Sequence, residues 1–217
     1  MARWAVFDVD GSMLPGTSME KQFLMYLLRS GRLPLRSLFY YGFSALARWV
    51  REGADEAFKN NKMYLKDVPV QAVQRIAGVL FLQEILPAIS PAALREWKQR
   101  RQAGYRILLM SGSPDFLTGL LADYLRPDFW VATHLEIRAG HFTGRVAGHH
   151  PYGKRKTLLL QQLQPKLEID FARSIVFANH HTDAHHMRLF GEAVAVNPTP
   201  ALQKIATAQG WPVVWWK

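Results

Sequence analysis

The sequence predicts an α/β fold: a Rossmann-like parallel sheet core with helices on both faces, and a small α-helical cap inserted after the first strand. Three observations carry this. A short apolar run at residues 2–7 (ARWAVF) stops on two acids in FDVDGS. From about residue 87 onward, short β-favouring runs alternate with amphipathic helical stretches, the pattern of a parallel sheet covered by helices. Between them, residues 18–86 keep a helical apolar spacing and contain no segment that reads as a parallel strand. The division that follows is a core of residues 1–17 and 87–217 and a cap of residues 18–86.

Taken in order, residues 2–7 read as a buried strand because they are apolar, include Trp4, Val6 and Phe7, and end at a polar turn. Alternate residues of an extended chain share a face, so Asp8 and Asp10 can address one point while Val9 turns into the core. Two ionised carboxylates held close repel, and a shared proton or a bound cation relieves them. A hard divalent ion with oxygen ligands, Mg²⁺ first, suits that pair. Pro15 and Gly16 signal a turn, and Ser18 can cap a helix starting near Met19. Helical patterns follow at 23–28, 38–49, 57–65 and 70–86, broken near Pro34 and Gly53.

The core then reads as a helix at 91–103, a strand at 105–110 ending on Ser111-Gly112-Ser113-Pro114, a helix at 116–125 and a strand at 129–133. An antiparallel hairpin is expected from 134–137 and 142–146, a helix from 152–163, and strands at 174–178 and 193–196. A helix at 200–209 and an edge strand at 213–216 close the chain.

Composition narrows the function classes. With 49% hydrophobic and 20% charged residues in 217, the chain is globular and long enough to bury a core. It has no cysteine, which excludes disulfides, thiolate metal sites and a cysteine nucleophile. No stretch approaches the roughly 18 apolar residues of a spanning helix, and the start lacks a signal-peptide pattern, so a cytoplasmic location is expected. The net charge of +10 suits anionic partners. Phosphate esters, acidic lipid surfaces and nucleic acid are such partners, and the basic residues are spread rather than gathered into an arm, which argues against nucleic acid.

Ligands of open parallel sheets bind beyond the carboxyl ends of the strands, so the residues on which each strand ends are the candidates. The first strand ends on Asp8 and Asp10. The second ends on Ser111 and Gly112, where a hydroxyl and bare N–H groups at a helix start make an anion cradle, with Ser113 expected as the helix cap. The strand at 174–178 ends on Asn179-His180-His181-Thr182-Asp183, in which Asn179 and Asp183 offer oxygen ligands to the ion of Asp8. Lys154, in Tyr152-Gly153-Lys154-Arg155-Lys156-Thr157-Leu158, stands at a helix start and offers an ammonium.

In this order, FDVDGS, LLMSGSP, YGKRKTL and VFANHHTDAHHM resemble the motifs of the haloacid dehalogenase-like superfamily, and specifically its phosphoserine-phosphatase-like branch, subfamily IB. HLEIRAGHFTGRVAG and AVAVNPTPALQKIATAQGWPV resemble that branch's hairpin and carboxyl-terminal segments. The resemblance implies a metal-dependent phosphatase of a small phosphorylated substrate in which Asp8 attacks phosphorus, Asp10 is the general acid and base, Ser111, Gly112 and Lys154 bind the phosphoryl group, and Asp8, Asp10 (through its backbone carbonyl), Asn179 and Asp183 hold Mg²⁺.

The sequence also departs from the family. The family's metal-binding Asp is Asn179 here, which should weaken Mg²⁺ binding, and four nearby histidines (His180, His181, His185, His186) raise Mn²⁺ or another transition ion as the alternative. Thr17 stands where phosphoserine phosphatases carry a substrate-binding Glu, which argues against phosphoserine. The aromatic stretch 35–50, flanked by Arg32, Arg36, Arg48 and Arg51, suits weak peripheral contact with an anionic membrane, with core packing between cap helices as the competing reading. The rival functions are a membrane-peripheral lipid-phosphate phosphatase and a degenerate, non-catalytic member that binds phosphorylated ligands. The oligomeric state is left open.

Overall fold

The computed structural model describes residues 1–32, 37, 39–44, 61–148 and 150–216. The first strand, β1 (Trp4–Asp8), runs into the first acid and is buried along its length. Helix α1 (Met19–Arg29) starts where expected: Ser18 accepts the Lys21 N–H, Glu20 complements the positive end of the helix dipole, and Phe23 and Leu27 are buried one turn apart. Residues 39–44 are helical and Met63–Leu65 form a 3₁₀ turn. The helix breaks expected at Pro34 and Gly53, and Arg36, Arg48 and Arg51, lie outside the described residues. Helix α2 (Val70–Leu80) continues through a π turn (Phe81–Ile85) into Leu86–Ala88. The cap boundary expected between 86 and 87 therefore falls inside a continuous helical run.

The remaining elements alternate: α3 (Pro91–Gln102), β2 (Arg106–Pro114), α4 (Asp115–Leu125), β3 (Phe129–Thr133), the hairpin β4 (Leu135–Arg138) and β5 (His141–Val146), α5 (Lys154–Leu167), β6 (Ile175–Ala178), α6 (Ala184–Met187), β7 (Glu192–Val196), α7 (Pro200–Gln209) and β8 (Val213–Val214). Six strands form one parallel sheet in the order β3-β2-β1-β6-β7-β8, and β4 and β5 pair antiparallel beside it. The chain builds outward from β1 to β2 and β3, then returns to add β6, β7 and β8 on the other side. The carboxyl ends of β1 and β6 are thus the topological switch point, where such sheets leave a crevice.

The period of two along each strand divides the core into two apolar layers. Ala5 and Phe7, Ile107 and Leu109, Ile175 and Phe177 face one layer, which also holds Phe23 and Leu27 of α1, Val73 and Ala77 of α2, Trp97 of α3 and Leu117 of α4. Trp4 and Val6, Leu108 and Met110, Val176 and Ala178 face the other, filled by Leu160 of α5, Met187 of α6 and Leu202 of α7. Helices therefore cover both faces, as the sequence pattern predicts, and α1 and α2 of the insert share one apolar layer with the sheet. The insert also joins the hairpin: the Asp67 and Val70 N–H groups donate to the carbonyls of Phe142 and Gly140, and the Phe142 N–H to that of Val68.

Strand β2 differs from expectation by running on through Ser111–Ser113. Its register against β3 is interrupted between Met110 and Pro114, and such a bulge re-aims side chains at a strand end. At the opposite end of the chain, Trp216 packs on Phe177 and Phe7, with ring centroids 5.5 and 6.3 Å apart. Its backbone N–H donates to Asn197 Oδ1 at 2.8 Å, and the Asn197 amide donates to the carbonyls of Gly11 and Ser12 at 3.3 and 3.0 Å. The final strand is therefore tied to the turn that follows Asp8.

Candidate active site

A cavity of about 480 Å³ opens at the switch point and is lined by Asp8, Asp10, Gly112, Lys156, Asn179 and Asp183, among others. Asp8 leaves the end of β1 almost wholly buried; its Oδ1 accepts the Lys156 ammonium at 2.7 Å and its Oδ2 the Ser12 hydroxyl at 3.0 Å. Val9 is buried in the core, which turns Asp10 back toward the cavity. The Asp10 carboxylate accepts the Met19 N–H at 2.9 Å, the Ser111 hydroxyl at 2.7 Å and the Ser113 hydroxyl at 2.9–3.0 Å.

The lysine is not the one expected. Lys154 is the exposed first residue of α5, whereas Lys156, two residues on, is buried and bridges Asp8 and Asp183. On a helix, two residues amount to about 200°, so the two side chains cannot share a direction. The sequence signal for Lys156 was its place in the apolar phase of α5, with Leu159 and Leu160 at i+3 and i+4, all three buried. Ser113 does not cap α4, whose cap Pro114 has no side-chain bond. Ser111, expected to bind the phosphoryl group, is fully buried with its hydroxyl on Asp10, while Gly112 lines the cavity.

Burial pushes the Asp8 carboxyl up to about 7, against the pull of Lys156, with Asp183 and Asp10 adding to the rise. Burial also acts to raise Asp183, but the Lys156 ammonium holds it below its ordinary value. Burial disfavours the charge on Lys156, yet Asp183 and Asp8 together more than offset this and hold its pKa above the ordinary value. The two carboxylates compete for one ammonium, and Asp8 is the one left short of positive charge.

That imbalance bears on the metal. The buried Lys156 ammonium bridges Asp8 and Asp183, Asp10 lines the same cavity, and the carboxylate and amide side chains there outnumber the imidazoles of His150 and His180, so the residues fit a hard divalent cation. Among the described residues, no three His, Cys, Asp or Glu side chains gather closely enough to hold an ion alone, so the Asn179 amide or a backbone carbonyl must complete any set. Both oxygens of Asp183 are engaged, Oδ1 by Lys156 at 2.9 Å and Oδ2 by the His180 N–H at 3.2 Å.

The four histidines do not converge on one point, contrary to the rationale for a transition ion, although the rings of His180 and His181 lie 4.2 Å apart. Of the four, only His180 lines the cavity. His181 and His185 are exposed. His186 is buried with Nδ1 3.8 Å from Asp183, and burial drives its pKa down to about 3, so it is neutral.

Asn179 is seated by Gly11. A Cβ on Gly11 would lie 1.9 Å from Asn179 Nδ2, and Gly11 has a φ of +83°, where side chains are strained. Gly11→Ala is expected to cost about 1–2 kcal/mol from backbone handedness alone, more from displacing Asn179, read as a lower melting temperature. Thr17 lines the cavity. Sequence reasoning missed the acid next to it: Glu20, in the first turn of α1, also lines the cavity, with its carboxylate held by the Tyr64 hydroxyl at 3.0 Å and by Lys62.

The model of the haloacid dehalogenase-like hydrolase family matches residues 5–188, and the chain belongs to that family. It is 28% identical over 219 residues to the Inhibition of morphological differentiation protein of Streptomyces azureus, covering 97% of this chain and 77% of that one. It is 24% identical over 214 residues to Phosphoserine phosphatase SerB1 of Mycobacterium tuberculosis (96% and 69% covered), and 24% over 221 residues to a Histidinol-phosphatase of Neisseria meningitidis (99% of each). A solved structure of a protein of unknown function from Bordetella pertussis superposes with a TM-score of 0.83 at 23% identity, covering 99% of each chain. The family and the parallel-sheet fold expected from the motifs are both met, and the phosphoserine-phosphatase-like branch is represented among the relatives.

Proposed function

We propose that the protein is a metal-dependent phosphatase that hydrolyses a small phosphate monoester through an aspartyl-phosphate formed on Asp8. The observation that carries this reading is the triangle of Asp8, Lys156 and Asp183, buried at the switch point beside Asp10. An Asp8 oxygen attacks phosphorus in line, forming the O–P bond as the ester O–P bond breaks. Asp10 gives its proton to the leaving alcohol, then takes one from the water that hydrolyses the acyl phosphate. Lys156 neutralises charge shared between Asp8 and the phosphoryl oxygens, and Asp183 holds Lys156 in place. The Gly112 region supplies N–H groups to the same oxygens.

Asp8, the Asp10 backbone carbonyl and the Asn179 amide would hold the cation, which when bound would lower the charge repulsion between Asp8 and the substrate phosphate. Mg²⁺ suits these oxygen donors better than an ion that needs imidazole. Asn179→Asp is expected to lower the Mg²⁺ concentration for half-maximal activity by about tenfold, because a charged oxygen replaces a neutral one. An unchanged Mg²⁺ titration would place Asn179 outside the metal shell.

The retained acids and lysine favour turnover over the degenerate, ligand-binding alternative. Residues 18–86 act in this reading as the cap that selects the leaving group. The relatives named for phosphoserine and histidinol phosphate make phosphorylated amino alcohols the first compounds to assay, with Mg²⁺ and with Mn²⁺. The test is acid quenching during turnover followed by peptide mass analysis. A phosphoryl group on the peptide carrying Asp8 is expected; hydrolysis without label at Asp8 would refute the mechanism.

One observation favours a lipid-phosphate substrate at an anionic surface as a second reading: Phe39 and Phe43, one helical turn apart, are 73% and 70% exposed. Among the described residues no single helix is long and apolar enough to cross a membrane. Absence of flotation with anionic liposomes at low salt would dispose of this reading.

A further inference from the structure

We infer that Ser113 is a positioning residue for proton transfer: its hydroxyl aims the Asp10 carboxyl and ties that aim to the first turn of α1. The inference rests on the reading of Asp10 as general acid and base.

Ser113 is 2% exposed and lies on the wall of the cavity. Its Oγ is 2.9 Å from Asp10 Oδ2 and 3.0 Å from Oδ1, so its one proton is directed at the carboxylate. The same oxygen accepts the Glu20 N–H at 3.3 Å, and the Ser113 N–H donates to Ser111 Oγ at 3.0 Å. Ser111 in turn donates to Asp10 Oδ2, while the neighbouring Met19 N–H holds Oδ1. Asp10 is thus gripped from two directions: by the bulge at the end of β2 and by the start of α1.

The chemistry of the grip suits a group that must exist both with and without its proton. A backbone N–H can only donate and so favours the carboxylate alone. A serine hydroxyl donates to a carboxylate and can rotate to accept from a carboxylic acid. Ser113 can therefore keep Asp10 in one place through both halves of the reaction, as proton donor to the leaving oxygen and as acceptor from water. Simple capping, the ordinary role for a serine just before a helix, is not what this one does.

The test is the dependence of kcat/KM on the leaving group, since this constant covers the steps up to phosphorylation of Asp8. An alkyl phosphate needs a proton to release its alcohol, whereas an aryl phosphate with an electron-poor ring releases a stable anion. Ser113→Ala is expected to lower kcat/KM by about tenfold for the alkyl ester and by less than about twofold for the aryl ester. Ser113→Thr, which keeps the hydroxyl, should recover most of the alkyl activity. The ratio of the two substrates does not depend on how much enzyme is folded, so a purely structural defect would leave it unchanged. An equal loss on both esters, or no loss on either, overturns the role of Ser113. Asp10→Asn run in parallel separates the levels. A loss confined to the alkyl ester upholds Asp10 as the acid whatever Ser113 does; an equal loss on both removes the acid role of Asp10 and this inference with it.

Discussion

Asp8→Asn is expected to abolish turnover, by roughly 10⁴-fold or more, while leaving the metal-free protein at least as stable as the parent above neutral pH. The two effects have opposite signs for one reason. The carboxyl that attacks phosphorus is buried, and its pKa rises from 3.8 to about 7 because burial outweighs the help of Lys156. A carboxyl whose pKa is raised by folding takes up a proton as the chain folds. Its contribution to stability is full below 3.8 and is lost as pH rises toward about 7. An amide carries no such charge and still fits the space between Ser12 and Lys156. Thermal melts of chelator-treated protein across pH 4–8 would show the parent losing ground relative to the variant as pH rises. A variant that melts well below the parent at pH 8 would mean that Asp8 is needed to hold the fold.

Lys156→Met is expected to do the reverse to stability and to slow turnover less severely. Removing the ammonium leaves Asp8 and Asp183 facing each other in a buried space, a loss of about 3–5 kcal/mol for breaking a buried pair, and kcat/KM should fall about a hundred- to thousandfold. Lys154→Met, two positions away on the exposed face of α5, should leave both nearly unchanged. Parallel melting and kinetic measurements on the two variants decide which lysine serves the site. Equal losses in both, or the larger loss at Lys154, would contradict the geometry.

These two lysines also show how far the chain could be read in advance. The strand that ends on Asp8, the β2 serines and the turn from Asn179 were legible because a strand places its terminal residues by a period of two, and because a parallel sheet collects its strand ends at one edge. Helix phase could have identified Lys156, since it falls in register with Leu159 and Leu160, but the start of a helix is the least certain part of any such reading. The role of Ser113 was hidden because it depends on a bulge, which redirects a side chain without leaving a mark in hydrophobic pattern. The contact of Glu20 with Tyr64 and Lys62 joins residues more than forty positions apart, and no local signal announces it. Adjacency of the four histidines suggests a ligand set, yet only the rings of His180 and His181 lie together, 4.2 Å apart, while His185 is exposed and His186 is buried.

The tie through Asn197 has a practical corollary. Because Trp216 and the turn at Gly11 and Ser12 hang on the two ends of one amide side chain, pulling on the last few residues loads the floor beneath the nucleophile. An affinity handle fused there would sit against the active-site scaffold, whereas Met1, 85% exposed, offers an attachment point where an appended tail can swing clear.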